Sequence, residues 1–366
     1  MSCLLDIISK LNSIPEIVLL EKKIDSLTTY WVITLNRPQA LNALNFPMVK
    51  ALRAILHEFY ALAYVSWLVI HGAGERSFCA GGDVKYIAQK IKEDYSNGRQ
   101  LAQDFFTEEY ELDYEISISP KPIIVWAHGL TLGGGVGLLQ ASPWSVVENK
   151  TQLAMPELKI GFFPDVGGSY YLPRLNNYLG IWLAFTGIHI SAVEACAANW
   201  IQYLSDISWQ KAEHKLSLNW NKDVSIENNL RLWLQNLTYP KNMPENLLSV
   251  EQQEWCEKLL NNQPIELFYN WIVKKPDPSL KTAQENILQS SPLSLKLTQY
   301  LLKQGQSLSL SQALDLEKKA AAFIIQDGDF IQGVGERLIN KNRNPINWNI
   351  DFKSAELLIN NWKKTL

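Results

Sequence analysis

PIIVWAHGLTLGGGVGLLQAS, residues 122–142, decides how this chain folds. Its first part, PIIVWAHG, is a β-branched and aromatic run closed by a turn-forming glycine, which reads as a buried strand. Gly133, Gly134 and Gly135 then stand ahead of a helix-like apolar run. A helix N-terminus with glycine at its mouth brings backbone N–H groups and the positive end of the dipole against a developing anion. No Lys-Ser/Thr follows, so this is not a Walker phosphate loop, and the glycine spacing is not the dinucleotide fingerprint. A second turn of the same kind, GERSFCAGGDVK (74–85), follows the strand-like VSWLVIHG (65–72). Two glycines ahead of Asp83 let the backbone expose its amides, and Asp83 can cap what comes next. Taken singly, each loop is a tight strand-to-helix turn. Together, two glycine turns at the ends of buried strands are the parts of a two-donor oxyanion hole.

Outward from these loops, YWVITLN (30–36) reads as a further buried strand, and FPMVKALRAILHEFYALA (46–63) and DFFTEEYELDYEISI (104–118) repeat apolar residues at helical spacing. Alternating strand and helix predicts an α/β layer structure for roughly the first 200 residues. Beyond Leu204 the strand signals stop and Trp-rich helical periods begin, which sets a boundary near 205–225. The expected division is a core of residues 1–215 and a mostly helical region of residues 216–366, with the tryptophans serving helix-on-helix packing.

The chain has 366 residues, 47 % hydrophobic and 19 % charged, a globular composition able to bury a large core. A net charge of −3, with no block of like charges, argues against nucleic acid as a partner. Cys3, Cys79, Cys196 and Cys256 are scattered, which indicates neither a disulfide framework nor a zinc site. The first residues carry Asp6 and Glu16 and no long apolar run, so the expectation is a cytoplasmic protein without leader or membrane anchor. His57, His71, His128, His189 and His214 show no metal spacing; His128, beside the glycine triplet, reads as structural. GGSYY around Ser169 is not a serine-hydrolase elbow.

MPELKIGFFPDVGG (155–168) places two carboxylates, Glu157 and Asp165, in a run that is otherwise apolar, glycine or proline apart from Lys159. Acids beside apolar residues are partly desolvated, which raises at least one pKa and lets one act as nucleophile or base and the other as proton donor.

FCAGGDV and GLTLGGGVGL resemble the two signature segments of the enoyl-CoA hydratase/isomerase (crotonase) superfamily. LNRPQALNAL (35–44) resembles its CoA-binding loop and TGIHISAVEACAANWI (186–201) its closing core helices, so the likeness covers roughly residues 28–204. It implies a crotonase-like α/β fold, a spiral of ββα units with a helical C-terminal region, and oxyanion amides on Gly82 and Gly134. Hydratases show GGGCEL at the triplet, with a catalytic Glu where this chain has Gly137. Gly137, with Glu157 and Asp165 downstream, is similar to the 3-hydroxyisobutyryl-CoA hydrolase branch of the family. FFTEEYELDYEI (105–116), SSPLSLKLT (290–298) and GDFIQGVGERLINK (328–341) also resemble that branch.

The resemblance implies Glu157 and Asp165 as the catalytic acids, and Glu109, Ala80, Gly82 and Gly134 as substrate contacts. In this reading Glu157 attacks the thioester carbonyl or activates water, and Asp165 orients water or manages protons. The implied partner is an acyl-CoA, with no cofactor because coenzyme A is part of the substrate, no metal, no nucleic acid and no membrane; a homo-oligomer is compatible. Two departures stand out. Gln332-Gly333-Val334-Gly335 replaces the branch's Glu-Gly-Val-Arg, and Leu293 replaces a Thr. The rival readings are a hydratase or isomerase of the same fold and a non-catalytic acyl-CoA-binding protein.

Overall fold

A computed structural model describes residues 14–25, 28–216, 218, 220–237, 244 and 246–366. Cys3, Asp6 and the first residues to 13 lie outside the described residues, as do parts of the expected boundary region. Ten strands are formed among the described residues: β1 Ile17–Lys23, β2 Thr29–Leu35, β3 Val65–Gly72, β4 Ser77–Cys79, β5 Ile123–Ala127, β6 Leu130–Leu132, β7 Trp144–Glu148, β8 Gln152–Ala154, β9 Ile190–Ser191 and β10 Tyr203–Ser205. The chain divides into two compact units that interleave along the sequence. One takes the described residues of Met1–Gly82, Glu111–Leu153 and Ile190–Glu245, the other those of Asp83–Tyr110, Ala154–His189 and Asn246–Leu366.

The first unit is built on the β-branched runs. Together with β1, β7 and β10, which the sequence reading did not pick out, they form a six-stranded sheet in the order β1-β2-β3-β5-β7-β10, parallel throughout except for the antiparallel β1–β2 pair. Every residue of β5 is buried and nearly every one of β2 and β3, as expected for parallel strands covered on both faces. A second sheet, β4-β6-β8-β9, is made of strands of two or three residues. The three longer runs fall where the sequence put them. The two- and three-residue strands gave no periodic signal, because alternation needs at least four residues to be seen.

Helix Phe46–Ala61 lies within the predicted 46–63. It is started by the Asn45 side chain accepting from Met48 N–H and ends one residue before an extended Leu62. The helix expected over 104–118 runs from Tyr95 to Ser117.

Helices Trp209–Leu216 and Ile226–Leu237 also belong to this first unit, and here the tryptophans pack helix on helix, Trp209 against Trp233 at 6.3 Å, and on a sheet as well. Trp209 and Trp233 pack with Trp126, Trp67 and Tyr30 of the large sheet, and Trp126 and Trp209 rings meet edge to face at 5.7 Å. Sequence periodicity shows that a helix face is apolar without showing whether a sheet or a helix covers it. Helix-on-helix packing holds in the second unit, where Trp182, Trp255 and Trp271 surround Phe268 with centroids 5.7–6.1 Å from its ring.

The second unit is almost entirely helical, including Pro292–Gly305, Leu310–Asp327 and Phe330–Val334, the last continuing as a π-turn over Gly335–Ile339. Among the described residues no helix is long and apolar enough to cross a membrane.

Candidate active site

In the first unit the two glycine loops touch. The loop after β4 turns through Gly81 at φ +97°, and a Cβ there would lie 3.2 Å from Leu132 O and 3.5 Å from Gly134 N. Only glycine lets backbone approach backbone this closely. The loop is tied down by LNRPQALNAL: Ala80 N–H donates to Leu41 O (3.0 Å) and Leu44 N–H to Gly81 O (2.8 Å). Asn42 is the clamp. Wholly buried and in the left-handed region (φ +56°), it accepts from Arg37 N–H and donates to Ala73 O and Ser77 O. Asn tolerates this backbone better than most residues, which explains its place in the motif. Ala80 thus spends its amide on Leu41 of the 35–44 segment.

Gly134 begins helix Gly134–Ala141, so its N–H is among those that a helix leaves without an intrahelical acceptor. Gly137 follows within the same buried helix. His128 contributes its carbonyl to Phe78 N–H, and burial depresses its imidazole pKa.

The acids gather in the second unit. Glu157 opens a 3₁₀ turn, Glu157–Ile160, that is held from behind by the C-terminal segments. Ser291 N–H donates to Leu158 O at 3.1 Å. Ser291 Oγ donates to the buried Asp329 carboxylate at 2.6 Å. Gly333 lies so close that a Cβ would sit 2.2 Å from the Ile160 carbonyl carbon. SSPLSLKLT and GDFIQG therefore form the backing of MPELKIG. Gly335, the departure from the branch's Arg, lies beside Lys92: a Cβ there would be 3.1 Å from its Nζ, so a cation comes near this position from helix Val84–Glu93.

Glu109, Glu157 and Asp165 are 2 %, 7 % and 4 % exposed. Asp165 Oδ2 accepts from Tyr110 Oη at 2.7 Å, while Glu109 Oε1 and Glu157 Oε2 have no hydrogen-bond partner among the described residues. Burial pushes the Asp165 carboxyl up to about 7 against the pull of the Tyr110 hydroxyl. Burial first, and then the charge of Asp165, carry Glu157 and Glu109 well above the usual carboxylate range; Lys159 opposes the shift at Glu157. Like charges in one dry site cannot all ionise, so the acids titrate as a group with protons to exchange. Asp165→Asn removes the second-largest cause of the rise at Glu157, leaving burial and the charge of Glu109. The acid limb of the kcat/KM–pH profile, measured on the residual rate, moves to lower pH, yet stays above the ordinary Glu value of about 4.3 because burial remains. A limb that rose or stayed in place would show that Asp165 does not bear on Glu157.

Two residues in this group escaped the sequence reading. Tyr110 was hidden in an acidic helix, although it follows Phe106 at helical spacing. Glu317, fully buried in helix Leu310–Asp327, accepts from Gly167 N–H (2.8 Å), Ser169 N–H (2.9 Å) and Ser169 Oγ. Its signal was positional: it opens Glu-Lys-Lys, which reads as solvated, yet it stands four residues after Ala313 and three before Ala320 on the buried face.

The family model described as Enoyl-CoA hydratase/isomerase matches residues 30–356. The chain belongs to the enoyl-CoA hydratase/isomerase family. It is 35 % identical over 320 residues to a zebrafish (Danio rerio) protein named 3-hydroxyisobutyryl-CoA hydrolase, mitochondrial, covering 86 % of this chain and 81 % of that one. It is 33 % identical over 362 residues to the human (Homo sapiens) protein of the same name, covering 98 % and 91 %. Among solved structures, an enoyl-CoA hydratase from Rhodobacter sphaeroides 2.4.1 matches with a TM-score of 0.76 and 28 % identity over 94 % of this chain and 96 % of that one. A carnitinyl-CoA dehydratase from Mycobacterium thermoresistibile matches with a TM-score of 0.77 and 26 % identity at the same coverage. The crotonase fold expected from the glycine motifs is thus the fold of the chain, and the likeness extends through the C-terminal helices. The relatives are named mitochondrial, a different compartment from the cytoplasm expected from the sequence.

Proposed function

We propose that this chain is a thioester hydrolase of acyl-CoA substrates, acting on 3-hydroxyisobutyryl-CoA and releasing coenzyme A and 3-hydroxyisobutyrate, a step of valine degradation. The observation that carries the reading is the buried trio Glu109, Glu157 and Asp165 in a chain whose triplet helix has Gly137 where hydratases carry an acid. The names of the most similar relatives support it.

The amides of Gly82 and Gly134 are assigned to the carbonyl oxygen, each donor contributing about 3 kcal/mol to a developing oxyanion. Glu157 supplies the electron pair, either attacking the carbonyl carbon to give a mixed anhydride as the thiolate leaves, which water then hydrolyses to free the acid and restore the Glu157 carboxyl, or taking a proton from a water that attacks the carbonyl and displaces the thiolate directly. Asp165, poised near neutrality, delivers and recovers the proton. Buried acids that keep protons are suited to this exchange, whereas surface carboxylates would be ionised throughout.

Glu109 and Asp165 are assigned the 3-hydroxyl of the acyl group. A buried acid left unpaired by a substrate that lacks the hydroxyl penalises that substrate. Isobutyryl-CoA is therefore expected to show kcat/KM at least about 100-fold below its 3-hydroxy form. Free-thiol release measured across short acyl-CoAs with and without the hydroxyl tests this, and equal values for the pair would remove the assignment. Hydration of crotonyl-CoA without thiol release would favour a hydratase instead, and binding without turnover a carrier.

For the compartment, the reading is a reducing one, since the thiols of Cys196 and Cys256 are buried and unbridged. Fractionation of cells that express the chain distinguishes cytoplasm from mitochondria.

A further inference from the structure

We propose that Glu317 is a positioning residue for Asp165, holding the backbone turn that aims the Asp165 carboxyl. The inference rests on the reading of Asp165 as a working acid. After Asp165 the chain passes through Val166 at φ +51° and Gly167 at φ +84° before entering the short helix Gly168–Tyr171. A β-branched residue in the left-handed region persists only where its surroundings over-determine it. The restraint is visible. Both carboxylate oxygens of Glu317 are used, Oε2 on Gly167 N–H at 2.8 Å and Oε1 on Ser169 N–H at 2.9 Å and on the Ser169 hydroxyl. Gly168 N–H closes the turn on Asp165 O at 2.7 Å. The side chain of Asp165 is fixed from the other direction by Tyr110 Oη.

A buried carboxyl group that accepts from the amides of Gly167 and Ser169, on either side of Gly168, ties that turn down from outside the local chain; burial pushes its pKa up to about 8 against the pull of these donors. Solvent cannot replace it, because Glu317 is 0 % exposed. An ordinary capping residue would come from the adjoining chain, whereas this one is brought from 150 residues away in sequence. Glu317 touches the turn rather than the substrate, so its influence on the reaction passes through Asp165.

The test is Glu317→Gln in the full chain, assayed by thiol release from 3-hydroxyisobutyryl-CoA. Glutamine keeps the shape but sets an amide NH₂ against the backbone donors. The turn relaxes, and kcat falls about 10- to 100-fold, the scale of an ångström-sized misplacement, while KM stays within about two-fold. On an Asp165→Asn background the same substitution changes kcat less than about two-fold, because two residues acting through one another are non-additive. Glu317→Asp, which keeps the carboxyl but ends one methylene short, serves if the glutamine variant does not fold, and the same pattern is expected of it. An unchanged kcat, a loss confined to KM, or an equal loss on the Asp165→Asn background would overturn the proposal. If Asp165→Asn alone turns over at the wild-type rate, the reading of Asp165 fails and this inference with it. An impaired Asp165→Asn beside an unimpaired Glu317 variant overturns the inference alone.

Discussion

Glu157→Gln lowers kcat for thiol release from 3-hydroxyisobutyryl-CoA by about a thousand-fold or more, with KM little changed, because the loss falls on a group that acts in the transition state. Glutamine preserves the volume at the head of the Glu157–Ile160 turn and cannot serve as nucleophile or base. The fold should tolerate it. Burial and the charge of Asp165 already disfavour the ionised form of Glu157, so a neutral amide adds no buried charge. One carboxylate oxygen has no hydrogen-bond partner among the described residues, so few contacts are lost. The variant is therefore expected to melt within a few degrees of the parent, a shift corresponding to about 1 kcal/mol. Near-parental kcat in this variant would refute the mechanism and leave 155–168 as a structural segment. Combined with Asp165→Asn, the loss is expected to be well short of additive, since the two acids share protons and act as a unit.

Gly134→Val is the second large effect. An oxyanion donor on the main chain cannot be deleted by truncating a side chain, but it can be displaced. Gly134 is the first residue of a helix, and its backbone is not in the left-handed region, so valine meets no conformational bar. Its helix propensity is no worse than that of glycine, and overpacking at a buried position costs about 1–3 kcal/mol. Folding survives that cost in a chain of this size. Turnover should not, because a branched side chain at the donor shifts the amide and occupies the space of the carbonyl it polarises. Loss of one oxyanion donor alone corresponds to about 100- to 1,000-fold in kcat. A circular-dichroism melt beside the thiol assay separates the two effects. An active Gly134→Val would mean that the oxyanion donors lie elsewhere.

What the sequence determined by itself is everything carried by short-range pattern. Buried parallel strands are continuous β-branched runs, so YWVITLN, VSWLVIHG and PIIVWAHG were legible, as was the helix after Asn45. Glycines that let one backbone touch another are conspicuous in sequence, so the spelling of the two loops resembles the family's before any contact is known. Glu157 and Asp165 stood out because acids are conspicuous in an apolar segment.

Tertiary structure alone decided which distant groups serve that segment. Tyr110 reaches Asp165 across 55 residues and Glu317 reaches Gly167 across 150, and no local period encodes such a pairing. The same limit hid the sheet that covers Trp209 and Trp233 in addition to their packing on each other, since an apolar face states its need for burial and not its partner. The raised pKa values belong here too. Desolvation is a property of the assembled surroundings, and a carboxyl becomes a proton carrier at neutral pH only once the chain has closed around it.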